Sequence, residues 1–460
     1  MARIYPFRAC RYNPSAIRFS DARLDDLATQ PPEAISPSMQ QACYQRSPYN
    51  LIRIVLGLPE LFDAERGESV YSRAARDFRA WREQGVLVQE TVPCVFAYSQ
   101  RFQLPGSEAI QERRSFIALG KLHDPADEVV YPSESARPAT TAGQLALLRA
   151  THAQFGPILM LYSDPARSIE KTLFQGAGPF DAGLEAGSLE TGPADAQATD
   201  EFGVLHRLWR ITDPAAIRLV TAAMDDKKLI LAAGHSHYEA ALEYGKENAP
   251  AEPQNPAESR SMQWAPPFPA AAAMMTFVNM DADGLVILPI HRVVHSLPKF
   301  DPVAFAVAAQ AFFTVEALPD DDAAGYLRLL NSLPGAAFIA VTHAGALLLH
   351  RDREAASEAL AHLPERQRQL GVSLLQTIVL DGILGLNLAT TAQETNLRFL
   401  TDAAEATDQV RRHDADIAFL TRPISVEQLR EVAFAGETLP QNSIDFFPNP
   451  LSGMAIYALD

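Results

Sequence analysis

The residues in this chain best arranged for chemistry lie in KKLILAAGHSHYEAALEYG, residues 227–245. Leu229 to Ala232 reads as a buried strand, Gly234 allows a tight turn, and Tyr238 to Tyr244 begins a helix that Gly245 ends. A strand–glycine–helix junction leaves backbone N–H groups unpaired at the helix start, with the positive end of the helix dipole behind them. Such a junction can hold a phosphate or carboxylate, and His235, Ser236 and His237 supply side-chain donors beside it. Two other readings stand next to this one. Ser236 can serve as an ordinary N-cap with the histidines at the surface. His235 and His237 can bind a metal, although a metal site needs more ligands and the neighbouring sequence offers none.

Other catalytic signatures are missing. There is no Gly-x-x-x-x-Gly-Lys-Ser/Thr loop, no Gly-x-Ser-x-Gly elbow, no His-Glu-x-x-His and no Cys-x-x-Cys. The Gly-Ala-Gly at 176–178 lacks the third glycine of a dinucleotide fingerprint and does not lead from a strand into a helix. Arg149, on a helical stretch, can reach an anion or simply face solvent. His206 and Arg207 alternate along a strand, so at most one of them faces any given pocket.

The elements that must position these residues form an irregular mixture. Tyr71, Ala74, Ala75, Phe78 and Trp81 recur at helical spacing before Gly85, and residues 92–103 and 113–122 read as paired strands. Gln144 to Gln154 is helical, 158–163 and 204–211 are strands, and Asp213-Pro214 starts a further helix. Toward the C-terminus, strands are expected at 285–294, 337–350 and 416–421, and helices at 354–363, 372–384 and 426–434. The order is neither strictly alternating nor all-β, which predicts an α+β fold. Residues 176–203, rich in Gly and Ala, read as a surface excursion, and the proline-rich 245–269 as a linker or insertion. The expected domains are therefore 1–244 and 270–460, joined by 245–269.

Composition excludes several classes of function. Lys plus Arg number 39 against 56 Asp plus Glu, a formal charge of −17, which disfavours nucleic acid as a partner. No apolar run is long enough to span a membrane, and the first residues carry no apolar signal-peptide core. Cys10, Cys43 and Cys94 are too few and too scattered for a disulfide framework or a zinc site. The expectation is a cytoplasmic protein with a small-molecule or nucleotide ligand.

GHSHYEAAL (234–242) is similar to the GHHRYETAL-type motif of the bacterial and archaeal family known as domain of unknown function 1015. The resemblance runs through FRACRYNP (7–14), SPYNLIRI (47–54), RRSFIALGKL (113–122), GVLHRLWRITDP (203–214), LVILPIHRVV (285–294) and FFPNPLSGMAI (446–456). The family's turn looks like the phosphate-binding turn of the ParB/sulfiredoxin-like fold. The resemblance thus implies a domain of that fold carrying insertions, followed by a second α+β domain. It also implies ATP and Mg²⁺ as cofactors and phosphoryl transfer to a small hydroxyl acceptor such as free serine.

This copy departs from the family pattern at polar positions. Asp-Gly-His-His-Arg reads Ala233-Gly234-His235-Ser236-His237, replacing an always-charged arginine by histidine. Pro-Tyr-Asp reads Pro31-Pro32-Glu33, and Pro-His-Glu reads Pro132-Ser133-Glu134. Two family lysines correspond to Asn442 and Asn449, whereas packing positions such as Leu147, Leu148, Trp209 and Phe419 keep their types. By resemblance, Glu134 and Glu33 are the surviving candidates for catalytic base or metal ligand. Gly234, His235, Ser236, His237 and Arg149 are the phosphate or nucleotide contacts. The losses imply phosphoryl transfer that is weakened or gone. The alternative is a non-catalytic nucleotide- or anion-binding protein acting as a partner or sensor.

Overall fold

The computed structural model describes residues 1–19, 23–61, 63–156, 158–174, 193–251, 264–350, 354–386 and 396–460. Most of the Gly/Ala-rich run, including the Gly-Ala-Gly, and the centre of the proline-rich run lie outside these residues. The chain is mixed α+β, as its irregular order of patterns predicts. It divides into two compact units, one of residues 1–132, 136–285 and 448–460, the other of 133–135 and 286–447.

The first unit is built on a nine-stranded sheet. Its strands are β1 (Ile4–Tyr5), β2 (Val95–Gln103), β3 (Ile110–Lys121), β4 (Val130–Pro132), β5 (Ile158–Tyr162), β6 (Ala196–Thr199), β7 (Leu205–Ile211), β8 (Leu229–Ala233) and β9 (Ala272–Asn279). The order is β4-β8-β5-β9-β3-β2-β7-β6, with β1 added to β3. β8 runs parallel to β4 and β9 parallel to β5, while the other neighbours are antiparallel. Side chains alternate between two cores, as strand geometry requires. Val95, Ala97, Phe116 and Trp209 pack on one face, and Phe96, Tyr98, Ile117 and Leu208 on the other.

Two expectations change here. β9, assigned from the sequence to the C-terminal domain, lies inside the first unit's sheet and is buried along its whole length. A proline-rich run marks where regular structure stops, which need not be where a domain ends. Residues 196–199, read as part of a surface excursion, instead form the edge strand β6 on β7.

Four helices matter for the site: α1 (Val70–Glu83), α2 (Pro138–Thr151), α3 (Pro214–Met224) and α4 (His235–Glu247). α3 starts as its sequence dictates: the Asp213 carboxylate accepts from the Ala215 and Ala216 amides, with Pro214 in the first turn. α2 starts earlier than expected and ends at His152, which takes a left-handed conformation at φ 50°.

The second unit holds an antiparallel sheet of β10 (His291–Val294), β11 (Thr314–Leu318), β12 (Ala337–Thr342), β13 (Gly345–His350), β14 (Leu397–Leu400) and β15 (Ile417–Leu420), ordered β11-β13-β12-β15-β10-β14. The strand expected at 285–294 is broken: Val286–Leu288 pairs with Asp445–Phe447, and β10 joins the sheet beyond Pro289. Proline has no amide to give a ladder. The expected helix at 372–384 is one turn of α-helix (Gly371–Leu374) running into a π-helix (Leu375–Ile383). Among the described residues, no helix is long and apolar enough to cross a membrane.

Candidate functional site

The strand–glycine–helix junction forms as the sequence predicts. Gly234 sits at φ 82°, a left-handed conformation that side chains resist, and a Cβ there would stand 3.4 Å from the Ile158 Cα. α4 begins at His235 with no side-chain cap, and the Tyr238 amide donates to the Gly234 carbonyl at 2.9 Å. Ser236 is therefore not the N-cap. Its hydroxyl lies 3.4 Å from both the amide and the carbonyl of Arg137, at the foot of α2. Nor does Gly245 end the helix. It lets α4 pass close to Ala270, whose carbonyl oxygen would be only 2.7 Å from an added Cβ. An uncapped helix start behind a left-handed glycine has the backbone geometry that holds anions.

The side chains at this start are arranged differently from a cationic phosphate clamp. His237 Nδ1 lies 3.3 Å from the Glu33 carboxylate, which is carried by the short 3₁₀ turn Pro32–Ala34. This is an ion-pair separation without hydrogen-bond alignment. Burial disfavours charge on His237, yet the facing Glu33 carboxylate outweighs it and raises the imidazole above its ordinary pKa. Burial likewise pushes Glu33 up, but the His237 charge, its own backbone and Arg137 bring it below the usual carboxylate range. The imidazole at this helix start is thus matched by a carboxylate. His235 differs: burial drives its pKa down to about 4, against the pull of a hydrogen bond at Leu231 and of Glu33, so it is neutral at pH 7.

Behind His237 lies a cavity of ≈ 40 Å³ with mainly apolar walls, including Leu147, Phe155 and Ala241. Two buried polar atoms without a hydrogen-bond partner belong to its lining residues, His237 Nδ1 and Ser452 Oγ. Ser452 comes from the C-terminal FFPNPLSGMAI motif. A space of this size with polar atoms on its wall suits a water molecule. Among the described residues no cluster of three or more His, Cys, Asp or Glu side chains is placed to hold a metal ion.

The remaining candidates are held by partners of their own. Arg149 is half exposed and pairs with Glu247 at 3.1 Å and with Glu243 at 3.8 Å, both in the last turns of α4. Twelve residues of helix separate Glu247 from His235, roughly 18 Å of rise, so Arg149 serves the opposite end of α4. Glu134 belongs to the second unit. Its carboxylate accepts from the backbone amides of Asn442 (3.0 Å), Ser443 (2.8 Å) and Ile444 (3.0 Å). Asn442 takes φ 56°, so the three amides form an anion-holding nest that Glu134 fills. Burial raises this carboxyl to about 7, against the three amides and the charge of Arg292. Arg292 is itself buried and donates to the carbonyls of Ile290 (2.7 Å) and Asn442 (3.1 Å). Glu33 and the 234–237 turn are thus brought together, while Arg149 pairs with glutamates at the other end of α4 and Glu134 accepts from the amides of residues 442–444.

A buried polar network in the first unit escaped the sequence reading. His206, fully buried on β7, places Nδ1 2.5 Å from the Tyr98 hydroxyl and Nε2 3.1 Å from Asp200. Asp200 also accepts from Gln30 at 2.8 Å, and the Leu451 amide donates to the Tyr98 hydroxyl at 3.1 Å. Arg113, also fully buried, donates to Gln100 Oε1 and to the Pro448 carbonyl, and Gln100 donates to the Asn449 carbonyl. The signal was masked: Gln100 stands between Ser99 and Arg101, and Arg113 between Glu112 and Arg114, so neither interrupts an apolar run. The position of Asn449, read as a lost lysine, contributes its backbone to this network.

The family model described as protein of unknown function (DUF1015) matches residues 4–373, and the chain belongs to that family. No curated protein matches it. Among solved structures, it is similar to a free serine kinase in complex with AMP, at 9% identity and a TM-score of 0.35, covering 72% of this chain and 86% of the other. A conserved hypothetical protein from Pyrococcus furiosus is 9% identical, with a TM-score of 0.34, covering 73% and 92%. SbnI with a C-terminal truncation, from Staphylococcus aureus, is 10% identical, with a TM-score of 0.33, covering 73% and 85%.

Proposed function

We propose, from the premise of that family membership, that the 234–237 junction binds the phosphate end of a nucleotide and that phosphoryl transfer has been weakened or lost. In this reading the ancestral reaction passes a phosphoryl group from ATP to a small hydroxyl acceptor such as free serine. The observation that carries it is the Glu33–His237 pair at the uncapped start of α4. The backbone geometry suits a phosphate, but the His237 imidazole beside it is paired with a carboxylate. A transition-state arginine is worth ~10³–10⁵ in rate, and a paired histidine does not replace it. Glu33, held below the usual carboxylate range, is a poor proton acceptor. The second reading, a nucleotide- or anion-binding partner or sensor with no turnover, is favoured by Glu134. Its carboxylate is engaged by three amides and leaves the chain without that candidate base.

Isothermal titration with ATP and Mg²⁺, run beside an assay for ADP formation with free serine, tests both readings. Binding with slow ADP formation supports the weakened enzyme, and binding without ADP supports the sensor. No binding by the wild type or by His237→Arg removes the junction as a phosphate site.

A further inference from the structure

We infer that the second unit carries its own binding site for a small organic anion, in a cavity at the carboxyl end of β15. The cavity measures ≈ 500 Å³, within the range that small-molecule sites occupy. It is bounded by the residues before β12, by the start of the helix at Gly371, and by the Thr421–Ser425 loop into the helix Val426–Phe434.

Three observations make this space a pocket and not a packing gap. First, its wall faces open space at two glycines. An added Cβ at Gly335 would meet nothing within 4 Å, and one at Gly371 would meet only the Ala337 carbonyl, at 3.8 Å. Second, its charge has one sign: Arg422 is the sole ionisable residue in the lining, which contains no Asp or Glu. In a chain of net charge −17, this acid-free lining carries a single positive charge. Third, its polar groups are oriented. Arg422 donates to the carbonyls of Leu333 (2.7 Å) and Gly335, which fixes the guanidinium and leaves further N–H groups of its five. Gln428 turns its carbonyl oxygen to the Ser425 amide at 3.0 Å, so its NH₂ is the end available to a ligand. Gln369 and Thr421 add amide and hydroxyl groups on the facing walls.

An anion of this kind can be a carboxylate or a phosphate, and the test separates them. The full-length protein is titrated with succinate, citrate, glutamate and inorganic phosphate at fixed ionic strength, with chloride as control, reading thermal stabilisation and calorimetric heat. Saturable binding of one class is expected, weakened at least tenfold by Gly371→Leu, which fills the cavity without removing a hydrogen bond. Arg422→Gln should weaken it similarly; because Arg422 also braces the 333–335 loop, Gly371→Leu decides if that variant misfolds. His237→Ala should leave this affinity unchanged, so failure here and failure at the 234–237 junction are distinguishable. The inference is overturned if no probe binds saturably, if Gly371→Leu leaves affinity intact, or if His237→Ala abolishes it.

Discussion

Replacing Glu134 by alanine tests whether this carboxylate is a strut or a catalytic base. Its two oxygens accept from three backbone amides at 2.8–3.0 Å, and the buried guanidinium of Arg292 lies in its field. Leaving a buried donor unsatisfied costs ~1–3 kcal/mol, and stripping the partner from a buried charge ~3–5 kcal/mol. These losses overlap, because the loop can relax toward water once the side chain is gone, so ~4 kcal/mol is the expected destabilisation. Glu134→Gln keeps the shape and one acceptor and should lose about half as much. The pH dependence supplies a second reading. With its pKa raised from 4.5 to about 7, the folded carboxyl keeps a proton that the unfolded chain has already released. Stability therefore falls as pH rises from about 4.5 to about 7, by about 3 kcal/mol, and is flat above. Glu134→Gln should lack that slope. Urea titrations from pH 4.5 to 8 measure both quantities. A Glu134→Ala protein within ~1 kcal/mol of wild type that nonetheless loses ADP formation refutes the strut and restores the base.

Other expectations concern the first unit. His237→Arg should tighten ATP binding by roughly tenfold or more at pH 7.5, since a charge-assisted contact is worth ~1.5–3 kcal/mol; calorimetry gives the ratio. Wild-type affinity should weaken as pH rises through the elevated pKa of His237, and should gain from His235 only near pH 4, which a calorimetric pH series resolves. Arg149→Ala should leave ATP affinity within twofold, and any loss in Tm should fade in high salt, because its partners are exposed glutamates. Gln100→Ala removes one acceptor of the buried Arg113, which keeps the Pro448 carbonyl, and should destabilise by ~3 kcal/mol in urea titration.

The local elements were legible where one signal dominated. The strand β8, the turn at Gly234 and the helix after it follow from apolar run, glycine and periodicity, and Asp213-Pro214 announced α3. Pairings between distant segments were not legible. Nothing near Pro31-Pro32-Glu33 says that it meets His237, because that meeting depends on how two remote loops are carried. Arg149 misled because its spacing on α2 shows only that it is on a surface, and its partners lie on another helix. The β9 assignment failed because composition marks a loop, while membership in a sheet is settled by which strands it finds.

The polar network around Arg113 and Tyr98 ties residues 448–451 into the first sheet, although residues 286–447 intervene in the chain. During synthesis this imposes an order of events. The growing polypeptide must wait on the order of ten seconds, while that intervening stretch is made, before its first half can acquire the closing piece. Until then Arg113 and Gln100 lack the Pro448 and Asn449 carbonyls. Limited proteolysis of stalled nascent chains would locate the moment at which this half becomes resistant, after residue 451 has left the ribosome.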